Sequence, residues 1–210
     1  MNKINNIFLK GHSIFLRPIE EEDVTNGEWH AWFNDAELTK YNSHGVFPIN
    51  IEDERKHHKN LLNDKTQISL TVCSLDYSRI IGTASLLNID LLNRKAEVSC
   101  MIAHNINTTV ALESLGLLVQ HGFEKLNLNK IYGGANYGLK DWVKMMETLG
   151  FKKEGVRKQE FLRDNKYIDL IDFCVFSKDY LKIKKSRNNK YLFDSKGKLY
   201  KDAISKLKSK

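Results

Sequence analysis

The sequence predicts a mixed fold of the α/β (α+β) class, a sheet flanked by helices, and three observations support this. Strand-like apolar runs dominate the first half, strands then alternate with two helical patterns, and two strand-like runs joined by a tight turn follow. With 210 residues, of which 41% are hydrophobic, the chain can form one substantial core. We expect one domain over residues 1–180 and a basic extension over residues 181–210.

The first half combines short strands with polar helices. SIFLRPI predicts a strand, and residues 21–35 follow a helical pattern that Gly27 interrupts. Glycine and proline then place a loop at residues 41–49, and Asn50 precedes acidic residues, as expected at the start of a helix. Three strand-like runs come next, QISLTVCS, RIIGTASLLNI and KAEVSCMIA.

The second half predicts a strand–helix alternation that ends in a hairpin. A helix is expected from about Thr108 to Leu126, followed by the strand KIYGGA. A second helix ends at Leu149, where Gly150 provides a suitable C-terminal cap. The last two strands, FKKEGVRKQEF and KYIDLIDFCVF, are joined by a turn at residues 163–166.

The basic charge is concentrated at the C-terminal end. The net charge is +7, yet residues 181–210 contain 11 of the 33 basic residues and 2 of the 26 acidic ones. The body of the chain is therefore slightly acidic. The extension is either a solvated or partly helical segment or a contact to an anionic surface, such as a membrane or a polynucleotide.

The cysteines and the apolar runs limit the class of protein. Cys73, Cys100 and Cys174 lie in strand-like runs without ligand spacing, which favours buried thiols over disulfides or a metal site. The sequence contains no run of roughly 18 apolar residues that could span a membrane. The first residues are too polar for a secretory signal, so we expect a cytoplasmic protein.

Four stretches carry a family resemblance: IFLRPIEEED, WFNDAELTKYNSHGVFP, IIGTASLLNIDLLNRKAEVSCMI and ETLGFKKEGVRKQEFLRDNKYIDLIDFCVF. Together they resemble the GNAT superfamily of acyl-CoA-dependent N-acetyltransferases over roughly residues 10–180. The resemblance is closest to the branch that acetylates ribosomal-protein amino termini and to its relatives that acetylate nucleotide-linked amino sugars. It implies a mostly antiparallel sheet with a central splayed pair of parallel strands.

The resemblance also implies a reaction. We expect an enzyme that uses acetyl-CoA as co-substrate and acetylates a primary amine by direct attack, without an acyl-enzyme. An amino sugar on a nucleotide carrier, used for surface glycans, is the preferred acceptor, and a protein amino terminus is the alternative. A non-catalytic binding protein of the same fold is the competing hypothesis, and a homodimer is possible.

The implied cofactor site lies between the splayed strands and at the start of the following helix. The residues expected there are Ser99, Cys100, Met101, Ile102, Ala103, Asn105, Asn107, Thr108, Thr109, Val110, Asn136 and Trp142. The family's glycines in the pyrophosphate loop fall on Asn107 and Thr109. Asparagine tolerates left-handed backbone and threonine can donate to phosphate, so the loop either retains anion binding or is obstructed by these side chains.

The resemblance assigns catalytic roles to two residues. Glu97 either accepts the amine proton or simply faces solvent from its strand. The family's tyrosine, which protonates the leaving thiolate, falls on Met146, whose thioether cannot donate a proton; Tyr137 is the expected substitute. The acceptor side is expected to include Trp32, Tyr41, Asn42, Ser43 and His44, with core packing as the alternative role for the tryptophan.

Overall fold

The structure is a computed structural model that describes residues 6–25, 28–40, 44–75, 79–103, 106, 108–136 and 139–193, with Glu28 and Thr108 described by their backbone alone. Strands and helices alternate through these ranges. In chain order they are β1 (Leu9–Lys10), β2 (Ile14–Pro18), α1 (Glu21–Thr25), α2 (Glu28–Asn34), α3 (Ala36–Thr39), α4 (Ile51–Asn63), β3 (Ile68–Ser74), β4 (Ile80–Asp90), β5 (Lys95–Ile102), α5 (Thr108–Glu124), β6 (Lys130–Asn136), α6 (Lys140–Thr148), β7 (Lys152–Arg163), β8 (Lys166–Phe176) and α7 (Ser177–Ser186).

The eight described strands form one sheet in the order β1-β2-β3-β4-β5-β6-β8-β7. Neighbouring strands are antiparallel except for the central pair β5 and β6, which is parallel. Helix α5 connects these two strands, because a parallel connection must return the chain to the same end of the sheet. The predicted mixed fold with a central parallel pair is therefore confirmed.

Helix α5 supplies the centre of the hydrophobic core. Its side chains Leu112, Leu115 and Leu118 are fully buried and belong to one cluster with Ala96 and Val98 of β5. Because strand side chains alternate between the two faces of a sheet, Glu97, Ser99 and Met101 of β5 lie on the face away from α5. That face carries the site described below.

The start of α4 shows the cap that its sequence predicts. The Oδ1 of Asn50 accepts the backbone N–H of Asp53 at 3.0 Å, and the Asp53 carboxylate accepts the N–H of Asn50 at 3.2 Å. This reciprocal pair satisfies two N–H groups that the first turn of a helix leaves free. The helical stretch predicted over residues 21–35 is present as two shorter helices, α1 and α2, and Gly27 between them lies outside the described residues.

A buried ion pair fixes the N-terminal helices to the sheet. The guanidinium of Arg17 donates two hydrogen bonds of 2.7 Å to Asp23, and the hydroxyl of Thr71 donates a third at 2.9 Å. These contacts, first the hydrogen bond to Asp23, hold the pKa of Arg17 above its ordinary value despite burial. The short helices α1 to α3 are thereby held close to the end of β2.

The C-terminal helix and the residues after it pack onto the core. Helix α7 crosses the predicted boundary at residue 180, and Tyr191 and Leu192 are each only 3% exposed. The phenol of Tyr191 donates to the carbonyl of Leu149 at 2.7 Å, and a Cβ on Gly116 would lie 2.6 Å from Leu192. We infer that a boundary at residue 180 would cut through the folded unit.

Acid is expected to destabilise the fold in part through His121. Its ring packs against Phe8, with centroids 5.0 Å apart, and burial followed by the charge of Lys125 lowers its pKa below the ordinary 6.5. The unfolded chain therefore binds more protons as the pH falls through 6.5, so stability is lost in that direction. His121→Phe should reduce the loss seen in urea unfolding between about pH 7 and about pH 5.

Burial also lowers the pKa of His44 and of His57, so the expected effect of the His121 substitution is partial. Equal acid sensitivity in the wild type and in His121→Phe would contradict the contribution of His121 to acid destabilisation.

Among the described residues, no helix is both long and apolar enough to cross a membrane.

Candidate active site

A cleft opens where β5 and β6 separate. In the described residues the two strands pair at three positions, the last of which joins Glu97 and Tyr132. Beyond that point β5 stays paired with β4 as far as Ile102, and β6 stays paired with β8 as far as Asn136. Each strand is therefore held by its outer neighbour, and the backbone of residues 98–102 borders the gap.

The cleft has a volume of about 440 Å³ and includes many of the predicted site residues. The predicted residues that line it are Glu97, Ser99, Cys100, Met101, Ile102 and Trp142. The other lining residues are Leu38, Val98, Gly134, Leu139, Arg157, Glu160, Phe161 and Leu170. One wall is therefore β5, and the opposite wall comes from α3 and from the hairpin β7–β8.

Glu97 provides a carboxylate at the closed end of the cleft. Its neighbours Ala96 and Val98 are buried under α5, so its side chain lies on the other face of the sheet. The carboxylate is partly exposed, and its Oε2 accepts a hydrogen bond from the Nδ2 of Asn88 at 3.0 Å. A carboxylate held in this way and still open to solvent can exchange protons with a bound amine or with water.

Trp142 is anchored to the β6 side of the cleft. Its indole N–H donates to the carbonyl of Gly134 at 3.1 Å, and the ring packs against the core. The hydrogen bond satisfies a carbonyl in the part of β6 that has separated from β5. The bulk of the indole is thus placed along one wall, and the cleft stays open beside it.

The end of the cleft at which phosphate binding is predicted lies where α5 follows β5. The N–H of Ala103 donates to the carbonyl of Ile81 at 2.9 Å, and α5 begins at Thr108, so a helix N-terminus closely follows the end of β5. Free N–H groups at such a terminus suit a pyrophosphate. Thr109 and Val110 are partly buried in the first turn. Asn105, Asn107 and the side chain of Thr108 lie outside the described residues, so their roles stay predictions.

Met146 fills space beneath the strands. It is fully buried, and its Cε lies 3.2 Å from the position that a Cβ on Gly133 would occupy. The thioether therefore has a packing role and, as expected from the sequence, offers no proton to a leaving thiolate. The expected substitute, Tyr137, follows Asn136 in the sequence and lies outside the described residues.

Two of the residues expected on the acceptor side, Trp32 and His44, are described by the structure, and neither of them lines the cleft. Trp32 packs against the small apolar cluster of Val24 and Trp29. His44 stacks near Phe33, with ring centroids 4.8 Å apart, and lines a separate depression of about 420 Å³. Tyr41, Asn42 and Ser43 lie outside the described residues. Among the described residues between Trp32 and His44, Leu38 lines the cleft.

Sequence reasoning did not identify the hairpin wall, which consists of Arg157, Glu160, Phe161 and Leu170. The many charged residues of β7 are typical of a strand that faces solvent. In addition, β7 can be placed beside the cleft only when the pairing of β8 with β6 is known. These residues were therefore absent from the predicted site.

The family model for the acetyltransferase (GNAT) domain matches residues 13–152, which is more than half of the chain. The chain belongs to the GNAT acetyltransferase family. A solved GNAT structure, the spermidine N-acetyltransferase of Vibrio cholerae in complex with CoA and spermine, shares the fold with a TM-score of 0.74 and 22% identity. The match covers 80% of this chain and 98% of that one.

Two curated GNAT relatives extend over most of the chain. The spermidine N(1)-acetyltransferase of Escherichia coli K12 is 26% identical over 171 residues, covering 81% of this chain and 89% of the relative. An uncharacterized N-acetyltransferase of Bacillus licheniformis, p20, is 26% identical over 169 residues, covering 77% of this chain and 90% of the relative. This protein is thus an N-acetyltransferase with acetyl-CoA as co-substrate, which confirms both predictions. The relatives do not single out the ribosomal-protein branch, and they give the amino-sugar branch no support.

The cleft of this GNAT enzyme fits an extended thioester arm. The backbone groups of β5 that border the gap can hydrogen-bond the amides of such an arm, as a neighbouring strand would. The N–H groups at the start of α5 suit its phosphates. Acetyl-CoA supplies the activated acetyl group. Residues 98–102 line the cleft where the arm is expected to bind, and Glu97 lies at the end of the gap where the strands meet.

Proposed function

We propose that this enzyme acetylates a primary amino group of an aliphatic polyamine of the spermidine class. The observation that carries the proposal is the composition of the cleft, where carboxylates of Glu97 and Glu160 stand among apolar side chains. A polyamine has the matching composition, since ammonium groups are separated by methylene segments. Two relatives whose names specify spermidine support the same acceptor.

Charge argues against the nucleotide-linked amino sugar expected from the sequence. A nucleotide diphosphate needs cationic or N–H partners. The lining cation, Arg157, is already paired with Glu160 and with Asp172, the latter at 3.2 Å. Together with Glu97 these groups give the cleft a net negative charge, which attracts an ammonium and repels a diphosphate.

The proposed chemistry is direct attack on the thioester. Glu97 accepts a proton from the bound ammonium, directly or through water, because an ammonium lacks the lone pair needed for attack. The amine nitrogen then bonds to the acetyl carbon and loses its second proton to water, while the carbon–sulfur bond breaks and the sulfur leaves as the thiolate. Backbone N–H groups bordering the gap stabilise the oxyanion. Tyr137 is the proposed donor of the proton that neutralises the thiolate.

A competition among acceptors tests the proposal. The purified protein is incubated with acetyl-CoA and, in separate reactions, with spermidine, a nucleotide-linked amino sugar and a peptide with a free amino terminus. Thiol release and the mass of the product are measured. We expect saturable acetylation of spermidine and little turnover of the other two acceptors. Preferred acetylation of the sugar or of the peptide would contradict the proposal, while the GNAT assignment would stand.

A further inference from the structure

Strand β7 is irregular at the point where it borders the cleft. Arg157 pairs with Leu170 and Phe161 pairs with Ile168, so the residues between them on β7 outnumber those on β8. Gln159, inside this bulge, has a φ of +55°. Residues other than glycine and asparagine rarely adopt this left-handed backbone conformation. Such a conformation persists only where neighbouring contacts hold it.

A carboxylate of the partner strand holds the bulge. Asp169 accepts the backbone N–H of Gln159 at 3.0 Å and forms an ion pair of 2.7 Å with Lys158. The hydrogen bond from Lys158 and then that from the Gln159 N–H lower the pKa of Asp169 below its ordinary value. Two successive β7 residues are therefore fixed by one β8 side chain.

The bulge changes which side chains reach the cleft. In a regular strand Arg157 and Phe161 would share one face and Glu160 would lie on the other. Here all three line the cleft, because the extra residues rotate the chain between them. Arg157 also forms ion pairs with both Glu160 and Asp172, which restrict the Glu160 side chain. The bulge thus places the Glu160 carboxylate in the hairpin wall of the cleft.

We infer that Glu160 binds a second, non-reacting ammonium group of the acceptor and so selects diamines and polyamines over monoamines. This inference rests on the proposed function. The Glu160 side chain is 33% exposed, so a ligand can reach it, and the apolar Leu38, Phe161 and Leu170 line the same cleft and can contact the intervening methylene groups. The single positive charge of Arg157 neutralises only one of the two negative charges of Glu160 and Asp172, so these three side chains together keep a negative charge.

The test compares a diamine with the monoamine of the same chain length, putrescine with butylamine, in the wild type and in Glu160→Gln. The substitution keeps the shape of the side chain and removes its charge. We expect kcat/KM for putrescine to fall roughly tenfold or more, as for a lost hydrogen bond to a charged group, and kcat/KM for butylamine, which has no second ammonium, to fall far less. The matched control is Glu154→Gln. Glu154 is an exposed β7 residue that pairs with Lys130 and is not among the residues that line the cleft.

A second readout is independent of turnover. Calorimetric binding of spermidine to the complex with CoA should weaken in Glu160→Gln and stay unchanged in Glu154→Gln. Equal losses for putrescine and butylamine would overturn the inference in favour of a structural role, and unchanged kcat/KM for both amines would remove Glu160 from recognition altogether. If the wild type acetylates other amines but neither spermidine nor putrescine, the proposed function fails and this inference fails with it.

Discussion

Removal of residues 188–210 is expected to lower the free energy of unfolding by about 5 kcal/mol, from the burial of two large side chains and one hydrogen bond. The lost side chains are Tyr191 and Leu192, both 3% exposed, and the lost hydrogen bond joins Tyr191 to the carbonyl of Leu149. A loss of this size approaches the total stability of many domains. Urea unfolding followed by circular dichroism measures it.

The matched control ends the chain after Phe193. That variant loses six of the basic residues of the extension but keeps every side chain described in the core. We expect its unfolding midpoint to stay close to that of the full chain. If both truncated proteins kept wild-type stability, the packing of residues 191–193 would contribute little, and a domain boundary near residue 180 would be the better description.

Replacement of Glu97 by glutamine is expected to lower kcat by about a hundredfold, the lower end of the usual contribution from a general base. Glutamine keeps the size of the side chain and can still accept the hydrogen bond from Asn88, but it cannot take a proton from the substrate. Steady-state acetylation of spermidine measures the effect. Because the variant depends on amine already deprotonated in solution, its rate should rise steeply with pH.

Two controls separate catalysis from folding. Acetyl-CoA binding, followed by calorimetry, should be the same in the wild type and in Glu97→Gln, because we expect residues 98–102 to bind the cofactor arm mainly through their backbone. Glu37→Gln, an exposed carboxylate on α3, should leave kcat unchanged. A normal kcat in Glu97→Gln would show that Glu97 is a solvated strand residue and that the amine proton leaves by another route.

The order of elements was largely predictable, because each long element has a local signal. The period of apolar residues in α5, the cap at Asn50 and the turn at residues 163–166 are properties of neighbouring residues. Residues 99–103 were placed in the site by the family resemblance, and residues 99–102 line the cleft. Glu97 is also present in the cleft, and its catalytic role stays a prediction.

The hairpin wall could not be predicted in the same way. The bulge at Gln159 lacks the glycine that usually marks a left-handed residue, and its support comes from Asp169, on another strand. Likewise, Tyr191 is held by Leu149 and Leu192 packs against Gly116 of α5, and the basic composition of the extension conceals both contacts. Both features are set by residues distant in sequence, where single-sequence patterns carry little information.

The hydrogen bond between Trp142 and Gly134 gives the enzyme an internal optical reporter. The chain has three tryptophans, and the other two, Trp29 and Trp32, belong to the apolar cluster at the N-terminal helices. Trp142 lines the cleft, and its N–H binds the carbonyl of a separated strand. Any molecule that enters the gap changes the polarity around this indole, so intrinsic fluorescence can follow occupancy without a label.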